Sequence, residues 1–519
     1  MIFSRTSFAL RGALACGLLA LASGCDNTIH PTEVLPPLEA VSLDAGAGSW
    51  RMIALTAPDQ FVVAAPAPVT SAGYLAELNT IKTAQGQLTA AQRQAIAYWS
   101  GGGVLRWNQI MRALVAKYSL PPAPAADASY PVPDAENPFG DPAFPFANPA
   151  YAARAYSYVS AAQADALKSA WYWKYQHNRP SPANVDNGVT ALMPVSDLPS
   201  YPSEDAVLSG VTVDMLKVLF PAALEEITLK AAEQRNAALW SGKATASDIA
   251  AGLALGKSVA TVFLARASTD GMRTAGGSPS LWQSLADAAV ARGEVPWISQ
   301  ETPARPPMLP NFGLVRGWMM SPAELIAERP APPPPTASAE MAAEVAEVRR
   351  TVDNLTREQL AIALKWNDGA GTYTPPGHWN DIAAEYVRDA RMSEVRTARA
   401  FVLLNMAMHD AAVGCWETKF FYFNPRPSQL DPRIKTPIGL PNFPSYSSGH
   451  STFSAAAVTV LSYLFPSATP ALTAMRDEAA ISRLYGGIHY RSDIEGGKVH
   501  GSRIGGYTVR FAQQDLADQ

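Results

Sequence analysis

Apolar positions along this chain recur three and four residues apart over long Ala-rich stretches, the spacing that lines one face of an α-helix. The stretches cover residues 88–118, 153–176, 204–219, 224–240, 246–267, 340–364, 380–421, 450–465 and 470–485. Alternation with period two, the mark of a half-buried strand, is rare, so the pattern predicts an all-α fold. Proline clusters at 121–150 and 296–310 predict loops wrapped around a helical core. The run Arg329-Pro330-Ala331-Pro332-Pro333-Pro334-Pro335 predicts a stiff, extended connector.

The helical pattern repeats. Adding 245 to a position in the first half often returns the same residue in the second. Ala153-Arg154-Ala155 becomes Ala398-Arg399-Ala400, Asp165 becomes Asp410, Trp171 becomes Trp416, and Lys174 becomes Lys419. Pro199-Ser200-Tyr201 becomes Pro444-Ser445-Tyr446, and Ser247-Asp248-Ile249 becomes Ser492-Asp493-Ile494. Upstream the offset shifts, as an insertion would make it, so that Trp107-Asn108 parallels Trp379-Asn380. Two related helical bundles from an internal duplication are therefore expected. A first copy spans 88–270, a Pro-rich connector 271–354 and a C-terminal copy 355–519, all preceded by an N-terminal extension at 26–87.

The N-terminus reads as a targeting segment. Arg5 and Arg11 precede an apolar run from Ala13 to Ala22, which ends at Leu21-Ala22-Ser23-Gly24-Cys25. This resembles a bacterial lipoprotein signal over 1–25, which implies a periplasmic protein lipid-anchored at Cys25. Ala22 stands where Leu is more usual, which leaves ordinary secretion as the alternative. Removing Arg5 and Arg11 takes the formal charge from −4 to −6. A mildly acidic chain argues against nucleic acid as a partner, and against a polybasic membrane contact. Beyond Cys25 the chain has only Cys415, beside Trp416 in an apolar helix, so neither an intramolecular disulfide nor a cysteine-bound zinc is expected. No later stretch reads as a long uninterrupted apolar span.

Chemistry gathers in the second copy. Lys419 is followed by Arg426-Pro427; Ser448-Gly449-His450 opens a helix; Ser482-Arg483 precedes His489 and Asp493. Arginine forks and a lysine ammonium suit a tetrahedral oxyanion, Gly449 allows close backbone approach, and a helix N-terminus offers free N–H groups. His489 and Asp493 stand four apart, so on a helix they would share a face. The carboxylate would then fix the ring tautomer. His450 is the candidate acid/base. The first copy has Glu204 and Asp205 at the positions of Gly449 and His450, Ala238 at that of Arg483, and Ala244 at that of His489. Those carboxylates would repel an anion, which makes the first copy a structural half. Asp410, matched by Asp165, reads as structural, and His409 as a core residue more than a pocket one. His177 and His500 carry no assigned role.

The three motifs match K-x6-R-P, P-S-G-H and S-R-x5-H-x3-D, with Ser447 in place of the proline. In these residues the chain resembles the superfamily of vanadium-dependent haloperoxidases and type 2 phosphatidic acid phosphatases. The resemblance implies that His489, oriented by Asp493, bonds vanadate or becomes phosphohistidine. It further implies that Lys419, Arg426, Ser448, Gly449 and Arg483 bind the equatorial oxygens and that His450 is the acid/base. Trp416 and Phe443 sit where the haloperoxidases carry pocket aromatics. Pro375-Pro376-Gly377-His378-Trp379-Asn380 resembles a segment of bacterial haloperoxidase-like proteins. These features point to vanadate as cofactor, with peroxide and halide as small-molecule substrates and Lys419 polarising the bound oxygen. The alternative on the same residues is an acid phosphatase acting on phosphate monoesters, with no cofactor.

Overall fold

The computed structural model describes residues 34–132 and 149–518. The signal segment and Cys25 lie outside the described residues, as does most of the proline-rich 121–150 stretch. All regular structure among the described residues is helical.

Eight helices build the core. Four belong to the first half: α1 (Pro149–His177), α2 (Glu204–Leu219), α3 (Leu224–Trp240) and α4 (Ala246–Ser268). Four belong to the second: α5 (Glu394–Tyr422), α6 (Gly449–Leu464), α7 (Thr469–Tyr485) and α8 (Arg491–Ala512). Their first residues, 149, 204, 224 and 246 against 394, 449, 469 and 491, each differ by 245. Shorter helices precede each set: Ala72–Gln85, Ala90–Trp99 and Gly103–Tyr118 before α1, and Ala339–Asp353, Arg357–Lys365 and Thr374–Asp389 before α5.

Local signals set the boundaries. Ser203 and Ser448 cap α2 and α6 by accepting from the backbone N–H of Ala206 and Ser451. Both helices stop at a phenylalanine, Phe220 or Phe465, because the proline that follows disfavours helical backbone before it. α1 and α5 are buried almost all round and pack on one another at the centre of the molecule. Where they meet, Ser157 Oγ lies 2.8 Å from His409 Nδ1.

Contacts recur along with the helices. Asp165 accepts from the backbone N–H groups of Ile53, Ala54 and Leu55, and Asp410 from those of Trp318 and Met319. Arg154 pairs with Asp270 at 2.7 Å, and Arg399 with Asp515 at 2.7 Å. The Trp171 indole donates to Leu43 O, that of Trp416 to Met308 O. Glu77 receives Ser247, and Glu344 receives Ser492, through both backbone N–H and hydroxyl. Several of these partners lie ahead of residue 88, in the segment expected to be a mere extension.

The structure corrects five points of the sequence pattern. The 88–118 stretch breaks at Gly101-Gly102, 340–364 breaks at 354–356, and 380–421 breaks at 390–393. α8 was missed, because its glycines lower helix propensity. Packing explains them: a Cβ on Gly497, Gly501 or Gly505 would lie 2.8, 2.0 or 2.9 Å from the carbonyl oxygens of Ser448, Thr452 or Ala456. α8 thus lies directly against the α6 backbone, and α6 carries Gly449 and His450. Finally, α4 together with the turn to Thr274 is long and apolar enough to cross a membrane by length and composition, with mean hydropathy 1.5 over its best window. The scattered Ser and Thr hid that character. Its Gly252 and Gly256 press on the carbonyls of Ser203 and Val207 in α2.

Gly501→Ala should lower unfolding stability by about 1–3 kcal/mol, since neither backbone can yield easily. Gly506→Ala, whose Cβ would meet only the Arg510 guanidinium at 3.7 Å, should leave it unchanged or raise it. Denaturant titration of the two variants checks the contrast.

Candidate active site

The C-terminal end of α5, the entry of α6, the end of α7 and the turn into α8 converge on one cavity of about 440 Å³. Gly449, His450, Arg483, His489 and Phe443 form part of its wall. Lys419, Arg426, Ser448 and Asp493 stand behind that wall, fully buried. The structure therefore brings all the motif residues together, but in two layers.

His489 and Asp493 meet, though not on a helix face. α8 begins at Arg491, so His489 precedes the helix and Asp493 reaches back over its N-terminus. The Asp493 Oδ2 accepts from His489 Nδ1 at 2.8 Å, from Ser445 Oγ at 2.5 Å and from the Tyr490 N–H at 3.0 Å. Nδ1 therefore carries the ring proton, and the Nε2 lone pair accepts from Arg426 Nη1 at 3.1 Å. Burial raises the Asp493 carboxyl to about 6, opposed by the hydrogen bond from Ser445 and by the charges of Lys419 and Arg426. Burial and then the cations Arg426, Lys419 and Arg483 hold the His489 ring far below its ordinary value, so it stays neutral. Ser445 was not among the expected site residues; its recurrence in Pro444-Ser445-Tyr446 was the available signal.

The cations are held by backbone. Lys419 Nζ donates to the carbonyls of Pro444 (2.9 Å), Ser445 (2.8 Å) and Ser447 (2.5 Å). All three ammonium hydrogens are thus engaged by the loop before α6. Burial lowers its pKa to about 7, with Arg426 adding to the effect. Arg426 donates to Phe443 O, Ile488 O and His489 Nε2, while its Nη2 is buried with no hydrogen-bond partner among the described residues. Arg483 donates to Ser482 Oγ and to the carbonyls of Ala363 and Trp366. Burial brings both arginines down to about 10.

Two further features leave room for a ligand. A Cβ on Gly449 would meet only Phe453 Cε2, at 3.8 Å, so the space before this backbone belongs to the cavity. His450 Nε2 has no hydrogen-bond partner among the described residues and lies 3.8 Å from Asp368 Oδ2. Burial, with Arg483 nearby, keeps that ring neutral as well. An oxyanion fits these residues: Arg426 Nη2 is unpartnered among the described residues, the only partner of His489 Nε2 there is Arg426 Nη1, and the start of α6 is open at Gly449.

Phe443 lines the cavity with Lys419 and Arg426 each 5.1 Å from its ring centre. Trp416 is not a wall residue. It packs behind Phe443, ring centres 5.0 Å apart, and is fully buried. His409 likewise lies outside the cavity; His500 is buried beside Gly414, and His177 stacks on Trp173.

The first half has a comparable cavity of about 400 Å³, with Leu198, Glu204 and Lys243 in its wall. Glu204 replaces the open glycine, and its carboxylate pairs with Lys174 at 2.7 Å and Lys243 at 2.8 Å. Asp205 pairs with Lys243 at 2.7 Å. The carboxylates do not merely repel an anion; Glu204 sits in the anion's place and is itself neutralised.

Residues 399–516 match the model of the PAP2 superfamily. No curated protein matches the chain. Among solved structures, one described as the first bacterial vanadium-dependent iodoperoxidase superposes with a TM-score of 0.55 at 25% identity, covering 70% of this chain and 91% of that one. A holo-type bacterial vanadium-dependent chloroperoxidase gives 0.51 at 14% identity, over 74% of this chain and 97% of that one, a likeness of fold. The C-terminal region thus carries the PAP2 superfamily pattern, on a helical fold shared with bacterial haloperoxidases.

Gly449→Ala should keep or slightly raise the melting temperature while weakening sulfate binding by about tenfold, because its methyl enters ligand space. Calorimetric titration and thermal melting separate the two effects. An arriving anion favours the charged form of Lys419, raising its pKa above the free-site value of about 7. Sulfate affinity should therefore be full below that pH and fall by up to about tenfold per unit above it. Sulfate keeps its own charge over this range, so a flat profile from neutral to mildly alkaline pH would contradict the assignment.

Proposed function

We propose that this PAP2-superfamily protein is a vanadate-dependent haloperoxidase that oxidises halide with hydrogen peroxide. The observation that carries the proposal is the 25% identity with the bacterial iodoperoxidase, spread over 91% of that chain. It is joined by a site in which His489 Nε2 carries no proton and accepts from Arg426 Nη1, while Arg426 Nη2 has no hydrogen-bond partner among the described residues.

In this reading His489 Nε2 is the protein's bond to vanadate, and Arg426, Arg483 and the Gly449 amide donate to its oxygens. When bound, vanadate supplies the activation of peroxide. The chain does the rest. Asp493 keeps the proton on Nδ1 so that Nε2 stays available. Ser445 and the Tyr490 amide fix the carboxylate in turn. Lys419 contributes charge from behind and pins the 444–447 loop, which places Ser448 and Gly449 at the start of α6. Buried donors in a water-poor wall stabilise negative charge more strongly than the same groups in water. His450, neutral and with a free Nε2, donates or accepts the proton at the reacting oxygen.

The PAP2 match over 399–516 favours a second reading, an acid phosphatase. There His489 Nε2 attacks the phosphorus of a monoester, His450 protonates the leaving alcohol, and water then releases phosphohistidine. The N-terminal segment remains, on sequence grounds, a lipoprotein signal that would place either enzyme in the periplasm.

Purified protein lacking residues 1–25 should brominate monochlorodimedone with bromide and peroxide only after orthovanadate is added. His489→Ala should lower that rate by more than about 100-fold. Folded protein that fails to brominate, yet hydrolyses p-nitrophenyl phosphate through His489, would establish the phosphatase instead.

A further inference from the structure

Beside His450 stands a group of residues that the three motifs do not contain. Asp368 lies in the cavity wall, and its carboxylate oxygens are 3.1 and 3.2 Å from His378 Nδ1. Its Oδ2 is 3.8 Å from the unpartnered Nε2 of His450. His378 stacks on the Trp366 indole, ring centres 4.3 Å apart and planes 24° apart, with Tyr373 edge-on at 5.9 Å. The Trp366 backbone also holds His450 and accepts from Arg483. Asp368 adopts a left-handed φ of 46°, an uncommon conformation for a residue other than glycine, which aims its carboxylate between the two rings. His378 keeps 15% of its side chain accessible from outside the cavity wall and His450 keeps 16% within that wall, with the 6% accessible Asp368 between the two rings.

We infer that His378 and Asp368 form a proton path that recharges His450 Nε2 during turnover. The inference rests on the haloperoxidase reading above, whose chemistry creates the need. One halide, one peroxide and one proton give one hypohalous acid and one water, so each cycle consumes a proton. A substrate filling the cavity blocks the direct approach of water to His450. In the path, the outer nitrogen of His378 takes a proton from water and Nδ1 releases its own to the Asp368 carboxylate. Asp368 then passes that proton to His450 Nε2, from which it reaches the departing oxygen. No electrons move and no other bonds change; exchange with water returns His378 to its starting tautomer. The 3.8 Å gap closes by a small rotation of either side chain, since catalytic hydrogen bonds are often long before substrate binds. His378 stands outside the cavity wall and Asp368 acts through His450, so they are positioning and relay residues rather than catalytic ones.

Bromination by the vanadate-loaded protein in dilute buffer tests the path. His378→Ala should lower kcat about tenfold, with the KM for peroxide and the orthovanadate Kd within about twofold of the parent protein. Added imidazole should restore most of the rate. His378→Gln, which can keep the hydrogen bond to Asp368 but cannot relay, should show the same loss. Asp368→Asn should lose the rate without rescue by imidazole. Full kcat in His378→Ala, or a loss that imidazole leaves untouched, overturns the relay and makes His378 a structural brace. A second readout needs no turnover. With orthovanadate bound, exchange of the His450 ring proton with water, followed by ¹⁵N-histidine NMR, should slow about tenfold in His378→Ala. Should the parent protein not brominate at all, the haloperoxidase reading falls. The exchange rate then still decides the path: slowed exchange upholds it, and unchanged exchange overturns it.

Discussion

The site depends on burying positive charge without a full set of counter-charges. Lys419, Arg426 and Arg483 are all but excluded from solvent, and the carboxylates among them are Asp493 and Asp368. Removing three cations from water is costly, and their mutual repulsion adds to the cost. Backbone carbonyls from the 444–447 loop, from Phe443, Ile488, Ala363 and Trp366, take most of their hydrogens. These are dipoles, not charges, so they hold the cations in place while leaving the field positive. An arriving oxyanion completes the balance, which is why the same helix geometry can serve either phosphate or vanadate.

The first half shows how that frame behaves once its anion is built in. The carbonyl of Pro199 still receives Lys174, as that of Pro444 receives Lys419. Asp248 remains where Asp493 stands, but with Ala244 in place of the ring it serves as a helix cap, accepting from the Thr245 N–H and hydroxyl. The first half has the frame without the reactive groups. Comparing the halves therefore separates residues that hold helices together, such as Asp165 and Asp410, from residues that only chemistry requires.

Much of this was legible in the sequence, for physical reasons. Helical periodicity located seven of the eight core helices, α8 excepted, because each buries an apolar stripe or is buried outright. The motif residues were found because oxyanion chemistry needs unusual side chains at fixed spacings. What could not be read was depth. Nothing in the spacing of Lys419 says that its hydrogens go to carbonyls, or that Trp416 stands behind Phe443 instead of beside it. Glycines spaced for close helix packing imitate a loop, so α8 escaped notice. Asp368 escaped too, and His378 was marked only as part of a resembling segment, because folding alone brings them to His450 some seventy and more residues away.

The Glu204 seat also constrains how this chain can change over time. Glu204 and Lys174 form a buried pair, joined by Asp205 and the partly exposed Lys243, so removing one partner of the buried pair costs roughly 3–5 kcal/mol. Reviving chemistry there would require glycine at 204, histidine at 205 and 244, and arginine at 238, with Lys243 removed in the same step. Each intermediate would be less stable than either end state. Single substitutions around Glu204 would therefore cost stability before they could open an anion site in the first half.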